Sequence, residues 1–243
     1  MRYSGCVLAA LGFALLTTDA IAHDEKGQAP KEGWSGSVAA GYVAVRGNSD
    51  TSTANFKAEV MYDRDRWHHS GLVTAIGASQ NGETSSEAYK AQLKTKYDLS
   101  EIFYAFGLAE YNKDRFSSYD HQIFEVGGVG WRIYHTGSQE LNLEAGLGAT
   151  QSQLEDGTNN NEVVTRLAAD YHWHISEHAL FSEKLASTIG ADNTYIESLT
   201  ELKAGVIGNL ALVLGYLIKH NTDVLPGTDK TDTQTSILLE YKF

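Results

Sequence analysis

The chain has 243 residues, 42% of them hydrophobic, with a formal charge of −12, two prolines and a single cysteine. An acidic balance of that size disfavours nucleic acid and anionic lipid head groups as partners of the bulk surface. The lone Cys6 lies in the amino-terminal stretch, so neither disulfides nor thiolate chemistry is available to the rest of the chain.

Met1-Arg2-Tyr3-Ser4 carries one positive charge and leads into the apolar run at 7–16, followed by the small residues Ala20-Ile21-Ala22. This order predicts a secretory signal over 1–22, cleaved near Ala22. The apolar run is too short for a membrane helix, which needs about 20 residues. Cys6 precedes that run instead of following it, which argues against lipidation. Residues 23–33 are polar, contain Pro30, Gly27 and Gly33, and show no period, so they read as a flexible leader.

From Trp34 to Phe243 the chain breaks into about twelve segments that alternate apolar and polar residues: 34–46, 53–66, 69–80, 86–97, 102–111, 122–134, 140–151, 162–175, 179–189, 195–207, 211–221 and 233–243. In the fourth, Tyr89, Ala91, Leu93, Thr95 and Tyr97 interleave with Lys90, Gln92, Lys94 and Lys96. Each segment therefore has one apolar face and one polar face. No later stretch is apolar for long enough to be a membrane helix, and in lipid only helices and closed sheets can satisfy every backbone group. The expected fold is all-β, an antiparallel transmembrane β-barrel of about twelve strands over 34–243. A soluble sandwich or lipocalin-like barrel shows the same period with the opposite facing, and the connections decide between them. Those after even-numbered segments are short, as at 98–101 and 135–139. Those after odd-numbered segments include 112–121, 152–161 and 222–232, matching short periplasmic turns and longer outer loops.

The aromatic residues support that orientation. Trp34, Trp67, Trp131 and Trp173 all fall at the expected periplasmic rim, with Tyr97, Phe103, Tyr104, Tyr241 and Phe243 joining them, as an interfacial girdle requires. The polar faces place Lys90, Lys94, Lys96, Arg132 and Arg166, and the anions Glu144, Glu162, Glu201 and Glu240, in the lumen. Lys94→Leu should accordingly be tolerated better than Leu93→Lys. Lumen charges of both signs can pair and fill a narrow barrel or line a water path, and a twelve-stranded lumen leaves both open.

The opening Trp34-Ser-Gly, the turn Gly47-Asn48-Ser49, the Thr-rich strand after it and the ending Tyr241-Lys242-Phe243 resemble the YdiY-like salt-induced outer-membrane proteins, a domain family of unknown function. The resemblance implies an outer-membrane barrel made under salt or osmotic stress, and brings no substrate and no catalytic residue. Ile237, Leu239, Tyr241 and Phe243 also look like the terminal signal read by the barrel assembly machinery. The expected partners are outer-membrane lipid, lipopolysaccharide and that machinery, with small ions or solutes as cargo.

Sites of chemistry are weakly indicated. His172 and His174 share a face, and His68 and His69 lie at a turn, but no third ligand stands at metal spacing. A lipid hydrolase would need Ser117, Ser118 or Ser152 beside His121 or His220, with no nucleophile-elbow motif present. The chain is expected to hold no cofactor and to act as a small pore or a largely plugged envelope barrel, with a lipid-cleaving enzyme as the alternative. The acidic outer connections, among them Asp114, Asp120 and Asp223, read mainly as hydrated turns.

Overall fold

The computed structural model describes residues 32–45, 50–115, 119–154, 159–191, 193–224 and 229–243. The expected signal, nearly all of the leader, the Gly47-Asn48-Ser49 turn and Ser117 and Ser118 lie outside the described residues. The alternating segments form twelve strands: β1 (Gly33–Val45), β2 (Thr51–Arg64), β3 (Trp67–Gln80), β4 (Glu83–Asp98), β5 (Phe103–Asp114), β6 (Tyr119–His135), β7 (Gln139–Leu154), β8 (Asn159–Ser176), β9 (Ala179–Ile189), β10 (Thr194–Ile207), β11 (Leu210–Asn221) and β12 (Thr231–Lys242). Each pairs antiparallel with its sequence neighbours, and β1 meets β12 to close the barrel.

The strands run further toward the loop end than their apolar content indicates. β5 continues to Asp114 and β6 begins at Tyr119, so most of the polar stretch 112–121 is strand, and β7 and β8 extend likewise. Once the ladder is established it propagates through Asn, Gln and Ser, because the backbone and not the side chain makes the bonds. One loop-end connection, Asn81-Gly82, is a two-residue hairpin with both residues at positive φ (52° and 85°), the geometry that suits strand twist and the Asn-Gly pair. At the opposite end, Asp65 (φ 52°) and Gly208 (φ 53°) make turns of the same compactness.

The pleat sorts the faces as the alternation requires. Leu93 is 68% exposed, while its neighbour Lys94 points inward to a partner on β7. Leu147, Leu167, Leu185, Leu214, Ile237 and Leu239 also lie exposed on the outer wall. In a bilayer, Leu93→Lys sets a cation in this band and is expected to lower stability by about 2–4 kcal/mol if it lies near the midplane. Urea titration of the protein in vesicles reads that shift, and an unchanged midpoint would mean that Leu93 does not sit deep in hydrocarbon.

The aromatic rim forms by cross-strand pairing at the short-turn end. Trp34 packs on Tyr62 with ring centroids 4.7 Å apart, Trp67 on Tyr97 at 4.8 Å and Phe103 on Trp131 at 6.1 Å, and Trp173 stands opposite Phe181. Tyr104 is a correction to the expected girdle. It is 1% exposed and faces the lumen, because consecutive strand residues point to opposite faces and Phe103 takes the outward position.

Candidate functional site

The inward positions carry charged side chains that pair across the lumen. Toward the loop end, Lys90 on β4 reaches Glu197 on β10 at 3.1 Å and Glu110 on β5 at 3.5 Å. β4 and β10 stand half-way round the ring from each other, so this ion pair crosses the lumen. Tyr195 donates its hydroxyl to the same Glu197 at 2.8 Å. Nearer the middle, Lys57 on β2 donates to both oxygens of Glu201 on β10 at 2.9 and 3.1 Å, with both residues buried.

Toward the turn end the centre of the network is Glu144 on β7. It accepts from Lys94 Nζ at 2.6 and 2.7 Å and from the Tyr104 hydroxyl at 2.8 Å, and Arg166 on β8 lies 3.8 Å away. Lys96 and Arg132 both lie 5.0 Å from the centre of the Tyr104 ring, and Lys94 lies 5.2 Å from that of Phe106, distances at which a cation is attracted to the ring face. The rings fit because the facing positions are glycine. A Cβ at Gly130 would overlap the Tyr104 ring, and one at Gly128 or Gly146 would press on Phe106. Phe106, Leu108, Phe124, Val126 and Val164 pack with Tyr104 as an apolar cluster inside the barrel. On the other side, Glu240 on β12, 1% exposed, accepts from Lys203 at 2.8 Å and from the Ser37 hydroxyl at 3.3 Å.

The expected lumen residues therefore separate by height. Lys90, Lys94, Glu144, Arg166, Glu201 and Glu240 enter the packed interior, and Lys96 stacks above Tyr104. Arg132 sits at the turn end, where it donates to Asp98 at 2.5 Å and to the Glu101 carbonyl at 3.1 Å. Glu162 sits at the loop end and accepts from the Ala191 backbone N–H at 3.1 Å. Sequence reasoning missed Lys57, Glu197 and Lys203, although each occupies a polar position in an alternating strand. It also missed the apolar inward residues Tyr104, Phe106, Phe124 and Val126, because alternation alone assigns apolar side chains to the outer wall.

The histidines are occupied separately. His68 bridges Asp63 at 2.6 Å and Asp98 at 3.1 Å, while His172 lies 2.9 Å from Asp170. Among the described residues no three metal-ligating side chains converge. The described hydrolase candidates do not converge either. Ser152 is buried facing inward and accepts from Gln122, while His220 contacts Thr231 and His121 contacts Asp120.

The outer wall carries polar side chains as well. Glu183 on β9 has outward parity and accepts from the hydroxyls of Ser198 at 2.6 Å and Thr200 at 2.5 Å on β10. Beside it a shallow groove of about 550 Å³ runs from β5 to β9, floored by Ala145 and Ala169 and walled by Trp131, Leu143, Leu167 and Leu185.

Comparison with known proteins places this arrangement. The family model described as "Protein of unknown function, DUF481" matches residues 38–243. The uncharacterized protein YdiY of Escherichia coli (strain K12) is 24% identical over 212 residues, covering 87% of this chain and 84% of that protein. Among solved structures, the NanC porin superposes with a TM-score of 0.53 at 9% identity, covering 85% of this chain and 98% of that one. The translocator domain of the autotransporter NalP from Neisseria meningitidis aligns at 10% identity with a TM-score of 0.49, covering 86% of this chain and 88% of that one. The NanC porin shares the barrel fold.

Proposed function

The chain belongs to the DUF481 family of proteins of unknown function, and from that premise we propose that it is a Gram-negative outer-membrane barrel whose lumen is held shut at rest by ion pairs. The signal over 1–22 sends it across the inner membrane, the short turns face the periplasm, and the loop end faces outward. Hydrocarbon contact is supported by the outward Leu and Ile band beside the aromatic rim, a surface that water would not favour.

The observation that carries the closed reading is the Lys90–Glu197 pair between opposed strands, because an open pore needs that centre free for water. Lys57–Glu201 and the Glu144 cluster stand at further levels along the strands. Buried pairs are screened much less than exposed ones, so although the screening length falls from about 10 Å at 0.1 M to about 3 Å at 1 M, salt acts first on the Lys90–Glu197 level, whose side chains are 21% and 23% exposed. A barrel closed in this way suits a conditional path for small ions or solutes, which links it to salt and osmotic stress.

The test is conductance of the refolded chain in a planar bilayer. Wild type is expected to be silent or to flicker at 0.1 M salt, with a higher open fraction at 1 M. Lys90→Ala combined with Lys57→Ala is expected to give long-lived open steps already at 0.1 M. Stable open steps from wild type at 0.1 M would overturn the closed lumen, and silence from an inserted double variant would overturn its closure by these ion pairs.

A further inference from the structure

Glu183 lies on the outer wall, at the first outward position inside the rim pair Trp173 and Phe181, with Tyr171 beside it on β8 and Thr200 on β10. Its sidedness is fixed by its neighbours. Ser182 is 3% exposed and faces inward, Leu185 is 45% exposed and faces out, and Glu201, next to Thr200, points into the lumen. A carboxylate facing hydrocarbon is disfavoured unless it meets a partner, and an ionisable group at that depth marks a site. The Ser198 and Thr200 hydroxyls hold both carboxylate oxygens, fixing the group on the wall. Two hydroxyls leave the negative charge uncompensated, and among the described residues no cation lies within ion-pair distance.

The apolar groove begins at the same place. Leu185 and Ser187, the next outward residues on β9, line it together with Leu167, Ala169, Leu143 and Ala145. The small floor and taller walls suit one extended acyl chain. A ligand that fills both parts needs a cationic group with N–H donors at one end and a hydrocarbon chain at the other, placed at the periplasmic side of the bilayer. We propose that this wall binds a phospholipid with a primary ammonium head group, the ammonium paired to Glu183 and one acyl chain laid in the β5–β9 groove. A carboxylate has about four acceptor positions, so two remain for the ammonium after the hydroxyls have bonded. A quaternary ammonium of similar charge has no N–H to give them. The proposal rests on the membrane placement above, since only there does this wall meet lipid.

The test uses the full chain refolded into vesicles of equal phosphatidylethanolamine and phosphatidylglycerol, with insertion checked first by protease protection. Failure of that check would count against the membrane placement itself. For inserted protein, extraction in mild detergent and native mass spectrometry of retained lipid is expected to show phosphatidylethanolamine enriched over its bilayer share. Glu183→Gln should reduce the enrichment by about fivefold, the scale of one partly screened ion pair. Glu125→Gln, an exposed outward carboxylate on β6 between the inward Phe124 and Val126, should leave it unchanged. Replacing phosphatidylethanolamine by phosphatidylcholine should abolish the enrichment. Lipids retained in their bilayer ratio, an inserted Glu183→Gln that keeps the wild-type enrichment, or a dimer that buries this wall with no lipid bound would each overturn the proposal.

Discussion

Glu144→Ala is expected to be among the most destabilising single substitutions in the barrel interior, lowering stability by about 3–5 kcal/mol, the range for breaking one side of a buried ion pair. Glu144 is 8% exposed and receives Lys94 and the Tyr104 hydroxyl, with Arg166 close by. Alanine would leave two buried cations and a phenol facing one another with no acceptor. Desolvation without compensation dominates here, because the lost attraction of one pair is smaller than the cost of stranding two charges. Urea titration in vesicles measures the effect. Glu144→Gln, which keeps an acceptor for Tyr104, is expected to fall between alanine and wild type. A change below about 1 kcal/mol for Glu144→Ala would show that water reaches Lys94 and that the interior is wetter than its packing indicates.

The same cluster shows where alternation stops informing. Period two puts Lys94 and Leu93 on opposite faces, because the pleat allows no other sorting. It could not say that Lys94 meets Glu144 three strands away, since cross-lumen partners depend on barrel shape and strand tilt, which no local pattern records. Lys94→Leu therefore strips a partner from Glu144, and its margin over Leu93→Lys is narrower than facing alone implies. Lys94→Leu paired with a neutral residue at Glu144 is the fairer comparison. Phe106 is hidden for a related reason, because its inward space exists only where glycines stand at Gly128 on β6 and Gly146 on β7. Glu183 was hidden too, since Ala179–Ile189 carries polar residues on both faces and the period there is weak.

Deletion of Phe243 is expected to prevent closure of the barrel. The terminal residue exchanges two backbone bonds with Gly36, at 3.0 and 2.9 Å, and its ring lies where a Gly36 side chain would stand. The ladder between β1 and β12 then continues only from Ser37–Lys242 to Ala40–Leu239, whereas β1 pairs with β2 from Gly33–Asp63 to Val45–Thr51. The closing seam is thus short, and losing Phe243 removes one end of it while placing a new carboxylate on Lys242. Each unpaired backbone group facing hydrocarbon costs several kcal/mol, so a seam that fails to register leaves two edges that pair with other chains. Phe243→Ala separates this role from recognition by the assembly machinery, because it keeps the backbone bonds and removes only the ring. The expected pattern is that the deletion fails to fold both in purified vesicles and in cells. Phe243→Ala should refold in vesicles and assemble poorly in cells, if the machinery reads the ring on the outward row with Tyr241, Leu239 and Ile237. Heat-modifiable gel mobility distinguishes folded from unfolded protein in both settings. Normal folding of the deletion in vesicles would mean that Ser37–Ala40 alone closes the barrel and that the terminal aromatic acts only during assembly.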